Sequence, residues 1–287
     1  MKSIFKTPNK LLPIFLALFL CFNTTKAQVV KRDSLPSSWE LLKYDGISAF
    51  GGIKNTYTQP LRWKKEDFIT AGAVVLGTAA LYIIDEQSSD WFIAQEKDIP
   101  PLIRDIGWYS GKPVNNYSLT SAIYLYGLFT KNEKVRKTGV LLISAATAAG
   151  LLQTFTKTAL GRARPGVGEG KWSFKPFSEE EGYHTFPSGH TILSFTTAYA
   201  IGKQFDNPFV KGGIYTLGLI APASRLWAGA HWLTDIGLSI AISIAVVDTI
   251  DNYLNRDRNY GNIDPHKTKI SWDFQMGPGR IGIRGTF

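Results

Sequence analysis

The chain has 287 residues, with 32 Lys and Arg against 23 Asp and Glu for a formal charge of +9, 44% hydrophobic residues and a single cysteine. One cysteine excludes a disulfide framework and a thiolate metal site. The modest positive balance gives no reason to expect a nucleic-acid partner, and the length, with no repeat at a fixed period, suits one domain of ordinary to large size.

The first segment carries Lys2, Lys6 and Lys10, an apolar run over 11–22, and then Thr25-Lys26-Ala27. This is the pattern of a secretory signal peptide, 1–27, with cleavage after Ala27. Its apolar core of 12 residues contains Pro13 and falls short of the roughly 20 residues of a membrane span. Leu20 before Cys21 is larger than a lipoprotein cleavage site takes. Removing the leader takes four lysines and the cysteine, and the charge falls from +9 to +5.

Residues 28–67 are punctuated by Leu35-Pro36, Asp45-Gly46, Gly51-Gly52 and Gln59-Pro60, and read as an irregular N-terminal arm with at most one short helix. The stretch 68–84 is the first strong helix, apolar and stopping at Asp85-Glu86. Residues 88–109 are amphipathic and broken at Pro100-Pro101, which predicts two short helices. Helices follow over 116–129 and 138–155, joined by a basic turn at 131–137, and then over 191–201, 213–224 and 233–250. The Gly-, Pro- and Glu-rich loop 161–187 is too long for a simple connector, so it is either functional or mobile. In the tail 256–287, Ile270, Trp272, Phe274 and Met276 alternate before Gly277-Pro278-Gly279, then Ile281 and Ile283, the pattern of a hairpin. Six apolar helices without comparable strands predict an all-α bundle, with a catalytic helical domain over 68–255.

Three separated segments carry chemistry. Lys157 and Arg164 lie seven apart at the end of an apolar helix, on one face if the helix persists that far before Pro165 ends it. A bidentate guanidinium beside a point-charge ammonium suits a tetrahedral oxyanion; a merely basic helix terminus would read the same way. Pro187-Ser188-Gly189-His190 precedes an apolar run, so Ser188 either caps a helix or bonds an anion at its N-terminus, where Gly189 allows close backbone approach. Ser224-Arg225, His231 and Asp235 form the sharpest segment. On a helix starting near Ala230, Asp235 reaches one imidazole nitrogen and leaves the other outward as a nucleophile; a plain capping carboxylate is the competing reading. Arg162 is expected to face solvent or the loop, His184 to be incidental, and Trp227 and Trp232 to pack.

In this order and spacing, the three segments resemble the signature of the type 2 phosphatidic acid phosphatase and vanadium haloperoxidase superfamily at every defining position. The likeness covers 68–250 in helix order and is most specific over 157–235. It implies a six-helix bundle in which Lys157, Arg164 and Arg225 bind phosphate, with Ser188 and the Gly189 amide completing the cradle. It also implies that His231 attacks phosphorus, Asp235 orients it, and His190 protonates the leaving oxygen, with no metal and no cofactor. The expected substrate is a phosphorylated lipid such as phosphatidic acid, phosphatidylglycerophosphate, a polyprenyl diphosphate or lipid A. A soluble nonspecific acid phosphatase and, behind it, a vanadate-dependent haloperoxidase are the alternatives.

The site is expected to face the periplasm. A cleaved leader then requires an even number of crossings before Lys157, met if the 68–84 helix does not cross or if no helix does. Predicted helices of 11 to 18 residues are only about 16 to 27 Å long, which tilts the reading slightly against full insertion and leaves membrane association open.

Overall fold

In the computed structural model, the described residues are 36–256 and Tyr260, with the backbone of 271–277 and 280–286. The expected signal peptide lies outside the described residues. The all-α body expected from the sequence is observed.

The first correction falls on the arm. Residues 38–58, expected to be mostly irregular, form a 21-residue helix α1, Ser38–Thr58. A reciprocal capping box starts it: Ser37 Oγ accepts from Glu40 N at 3.2 Å, and Glu40 Oε2 accepts from Ser37 N at 2.7 Å. The paired glycines that read as a break are contact points. A Cβ on Gly51 would sit 2.0 Å from the Tyr253 hydroxyl, and one on Gly52 would sit 3.0 Å from Ile250. Small residues there let α1 approach the last helix.

The chain continues through α2, Lys65–Ile83, α3, Asp85–Gln95, α4, Pro101–Ser110, and α5, Pro113–Phe129. Then come α6, Glu133–Leu160, α7, Gly189–Gly202, α8, Pro208–Gly218, α9, Ile220–Trp227, and α10, Leu233–Arg256. The apolar core is built by α5, α6, α7 and α10, with Leu141, Ala145, Ala149, Ile192, Val247 and Ile250 buried in it.

Helix α6 spans 28 residues, well past the predicted 138–155. Asn132 Oδ1 accepts from Val135 N at 3.1 Å and starts the helix inside the stretch expected to be a basic turn. The other end stops at Gly161, which adopts φ +55 and donates its N–H to Lys157 O at 3.0 Å. Gly161, not Pro165, therefore ends the helix, and Arg164 lies beyond it on extended chain. Periodicity underestimates such a helix because its capped ends are polar.

Helices α6 and α10 run antiparallel, with Lys137 Nζ 3.3 Å from Asp251 near the far end of α10. At that end Asp45 of α1 accepts from the buried Arg136 Nε at 3.2 Å, from Tyr124 at 3.0 Å and from Tyr260 at 2.9 Å. At the opposite end, Asp85 after α2 and Arg162 after α6 meet Thr234 at the start of α10. The elements that carry the signature residues are thus gathered at one end of the bundle.

Helices α2, α6 and α10, of 19, 28 and 24 residues, are long and apolar enough to cross a membrane, and α2 buries none of its residues in the protein. This corrects the length argument against insertion: at 1.5 Å per residue, α6 and α10 reach about 42 and 36 Å, beyond a ~30 Å hydrocarbon core. In the tail, β1, Ser271–Gly277, pairs antiparallel with β2, Arg280–Thr286, in a register that sets Phe274 opposite Ile283.

Candidate functional site

The loop 161–187 is the scaffold on which the site is assembled, and it is heavily pinned. Ala163 N donates to Ser173 O at 2.9 Å, Arg164 N to Gly182 O at 2.8 Å, and Gly166 N to Gly229 O at 3.1 Å. Lys175 N closes on Gly161 O at 2.7 Å. His184 is one more pin, its Nε2 lying 2.6 Å from Ser178 O.

Arg162 contradicts its expected placement at the solvent or loop face. It is 1% exposed and bridges two carboxylates: Nη2 lies 2.8 Å from Asp85 Oδ2 and Nη1 lies 2.8 Å from Asp235 Oδ1. Thr234 binds the same group, donating its N–H to Asp85 Oδ1 at 3.0 Å and its hydroxyl to Oδ2 at 2.6 Å. Two buried anions around one buried cation would be unfavourable without these donors. The assembly locks the first turn of α10 against the ends of α2 and α6.

Asp235 sits in that turn, fully buried, and its second oxygen serves the histidine segment. Oδ2 accepts from Trp232 N at 2.8 Å and from Thr185 Oγ1 at 2.5 Å, with His231 Nδ1 at 3.4 Å. Thr185 Oγ1 is itself 3.0 Å from His231 Nδ1, closer than the carboxylate. A threonine hydroxyl has one hydrogen. With that hydrogen given to Asp235, Oγ1 accepts from Nδ1–H, which leaves Nε2 of His231 with its lone pair free. The sequence reading placed Asp235 directly on the imidazole from a helix starting near Ala230. The helix starts at Leu233, and Thr185 stands between carboxylate and ring. The capping reading and the orienting reading both hold, one through Trp232 N and the other through Thr185. Burial holds His231 below its ordinary pKa, Asp235 opposes that, and Lys157 and Arg164 reinforce it, so the free imidazole is neutral.

His190, in the first turn of α7, lies beside a surface outside the three segments. Its ring is 5.2 Å from Trp108, tilted by 33°, and a Cβ on Gly111 would fall 2.4 Å from its Cδ2, so only glycine permits this approach. The Arg225 guanidinium sits 4.3 Å from the centroid of the same indole, and Lys112 Nζ sits 4.9 Å from it. Arg225 also donates to Ser224 Oγ at 3.2 Å. Burial, then the charges of Arg225, His231, Lys157 and Lys112, press His190 down to about 3. Burial and Arg164 bring Arg225 down to about 10, so it stays cationic at neutral pH.

Lys157 therefore acts on both imidazoles, Arg225 on His190 and Arg164 on His231, which brings the predicted residues together at one place. Arg164 Nε and His190 Nε2 are buried and bond no protein atom. Ser188 is buried and caps α7, its Oγ accepting from Thr191 N at 3.4 Å, while its own N–H donates to Ser239 Oγ at 2.8 Å. Gly189 opens α7, and a Cβ there would meet only the side chain of Gln153, at 3.3 Å.

Sequence reasoning missed Thr185, Asp85, Trp108, Gly111 and Lys112. Asp85 had a signal, a carboxylate ending an apolar helix, which reads equally as a helix stop. The other four had none, because they meet His231 or His190 across 46 to 82 positions and no local spacing encodes that.

A helical bundle that gathers three cations and two histidines over one buried carboxylate carries the groups that an oxyanion-binding site needs. Residues 138–256 match the PAP2 superfamily. The chain carries a domain of this type 2 phosphatidic acid phosphatase superfamily and is a phosphoric monoester hydrolase. It is similar to a lipid A 1-phosphatase of Rhizobium etli, 29% identical over 201 residues that cover 63% of this chain and 81% of the relative. It is also similar to a lipid A 4'-phosphatase of Porphyromonas gingivalis, 27% identical over 133 residues, 45% of this chain and 56% of the relative. The crystal structure of Aquifex aeolicus LpxE overlaps 56% of this chain and 93% of its own, at 18% identity and a TM-score of 0.40.

Proposed function

We propose that the protein removes a phosphate group from a membrane lipid through a phosphohistidine on His231, without a metal. The observation that carries this reading is the pair of buried, unbonded atoms Arg164 Nε and His190 Nε2, on side chains whose charges are felt between Arg164 and His231 and between His231 and His190. Buried polar atoms are almost always paired, and phosphoryl oxygens would pair these. In the first step the His231 Nε2 lone pair attacks phosphorus and the bond to the leaving oxygen breaks. His190, which takes up a proton when the phosphate dianion binds beside it, gives that proton to the leaving oxygen. In the second step water attacks the phosphorus, the N–P bond breaks, and its electrons return to His231 while His190 takes the proton of the water. Lys157, Arg164 and Arg225 stabilise the oxygens of the transferring group, the largest contribution in such a site. Asp235, through Thr185 and directly, balances the positive charge on phosphorylated His231. Ser188 and the Gly189 amide complete the cradle at the α7 N-terminus.

Lipid A is the substrate named for the similar phosphatases; phosphatidic acid, phosphatidylglycerophosphate and a polyprenyl diphosphate share the chemistry. A soluble acid phosphatase is disfavoured by α2, an apolar helix with no buried residue. We place the enzyme in the cell envelope with its site facing the periplasm. The purified protein should release phosphate from a lipid phosphate and from nitrophenyl phosphate in EDTA, and His231→Ala should abolish both. Release that survives this substitution would overturn the mechanism, and halide oxidation appearing only with vanadate would favour a peroxidase.

A further inference from the structure

Helix α4 lies outside the three signature segments, yet its last turn reaches into the site. Two glycines allow this close approach. A Cβ on Gly107 would fall 2.4 Å from Ser224 Cβ and 2.9 Å from Ile220 O, so glycine there lets α4 lie flush on α9. Gly111 does the same for His190 on α7. Trp108 lies between these glycines in sequence, and its indole is shared by the Arg225 guanidinium, at 4.3 Å, and the His190 ring, at 5.2 Å.

Arg225 is only 6% exposed, so its charge must be stabilised where water is scarce. Arg162 meets the same problem with two carboxylates, Asp85 and Asp235, which offset its charge. Arg225 has no such partner. Among the described residues it forms no ion pair, it bonds only the neighbouring Ser224 Oγ, and Arg164 acts on it as a like charge. The Trp108 face is what holds it. An aromatic face attracts a cation through its quadrupole and brings no net negative charge. Lys112, 4.9 Å from the same ring and 5.0 Å from that of Tyr109, is likewise without an ion pair among the described residues. A carboxylate in place of the indole would stabilise both cations but would compete with the oxyanion they serve. Core packing explains Trp108 less well, since the residue is 42% exposed.

We propose that Trp108 is a positioning residue of the phosphate site: its indole holds the Arg225 guanidinium in place and leaves the charge undiminished for the phosphoryl oxygens. The proposal rests on the phosphatase reading above. The test compares full-length enzyme in detergent as parent, Trp108→Phe, Trp108→Leu, Arg225→Gln and the double variant Trp108→Leu with Arg225→Gln. Vanadate affinity is read by calorimetry, and kcat/KM on nitrophenyl phosphate. Trp108→Leu should weaken both by about 10- to 30-fold, the value of a desolvated cation–π contact, while Trp108→Phe, which keeps a ring face, should stay within about threefold. In the Arg225→Gln background the leucine change should cost vanadate affinity less than about twofold, because the partner through which the ring acts is gone. Trp108→Met, whose unbranched chain adapts to gaps, gives the same comparison should the leucine variant not fold. Equal losses from leucine in both backgrounds, or equal losses in the phenylalanine and leucine variants, would reduce Trp108 to packing and overturn the proposal. An enzyme inert to nitrophenyl phosphate would overturn the phosphatase reading instead, and the vanadate affinities would still judge Trp108.

Discussion

Asp235 is held by Arg162, Trp232 N and Thr185 before it contributes anything to His231. The consequence is that residues not touching any substrate set the nucleophile. Thr185→Val keeps the shape of the side chain, removes the hydroxyl link between carboxylate and imidazole, and leaves only the direct 3.4 Å contact. It should lower kcat by about 10- to 100-fold, in the manner of other groups that orient a reacting side chain, with KM unchanged and a shifted pH–rate profile. A variant with a parental profile would show that Asp235 acts on His231 without Thr185. Asp85→Asn leaves Arg162 with one carboxylate in a site that is 1% exposed or less. Breaking such a pair costs about 3–5 kcal/mol, which a denaturant midpoint would register; an unchanged midpoint would deny the pair its role. His190 gives a prediction of a different kind. Its pKa is pressed from 6.5 to about 3, so the free enzyme holds it neutral at pH 7 while the unfolded chain binds a proton below pH 6.5. The unfolded state thus binds more protons between about pH 6.5 and 3, and the contribution of this group to stability falls as pH drops through that window. A bound dianion reverses the local field and raises the imidazole pKa. Phosphate or vanadate binding near pH 7 should therefore take up a proton, measured by calorimetry in buffers of different ionisation heat. His190→Gln should abolish the uptake, and an uptake that persists there would assign the proton elsewhere.

At the scale of the element, α6 is the piece whose ends matter most. Its N-terminus is set by Asn132 and its C-terminus by Gly161, and the second stop lets the chain turn so that Arg162 points into the bundle while Arg164 joins Lys157. Gly161→Ala would place a Cβ 1.7 Å from Lys175 O at a positive φ. A loss of well over 1 kcal/mol in stability is expected, since alanine at such a backbone conformation costs more than that, together with reduced turnover as the loop shifts. A thermal melt matching the parent would show that the turn relaxes freely. The apolar runs located most of these helices in order, because burial on one face is a local pattern, although the expected helix 213–224 is divided at Leu219 between α8 and α9. Helix ends were read poorly, since Asn132 and Gly161 are polar or small and carry no periodicity. Helix α1 was read as irregular because its glycines serve Tyr253 and Ile250, 198 or more positions away.

For the whole molecule, α2 and α6 both deliver their C-terminal ends to the start of α10, where the signature residues gather. If α2, α5 and α6 all cross the bilayer, three crossings precede the site. The start of α2 then lies on the face opposite the site, where an even count was expected from the sequence. This arrangement also puts the basic end of α6 on the cytoplasmic face, in keeping with the positive-inside tendency. With Cys21 replaced by Ser, Glu179→Cys in the loop beside the site should react with an impermeant maleimide on intact spheroplasts. Lys134→Cys at the far end should react only after lysis; labelling of Lys134→Cys from outside would invert the orientation.

The sequence by itself determined the all-α class, the order of the helices and the identity of the eight signature residues from Lys157 to Asp235, because apolar periodicity and short spacings are local properties of a chain. The tertiary structure decided how these residues are held: that Arg162 is a buried bridge between Asp85 and Asp235, that Thr185 stands between Asp235 and His231, and that Trp108, Gly111 and Lys112 crowd His190. Those contacts join positions up to 82 residues apart. The energy that selects them, the pairing of charges and donors withdrawn from water, exists only once the helices have packed.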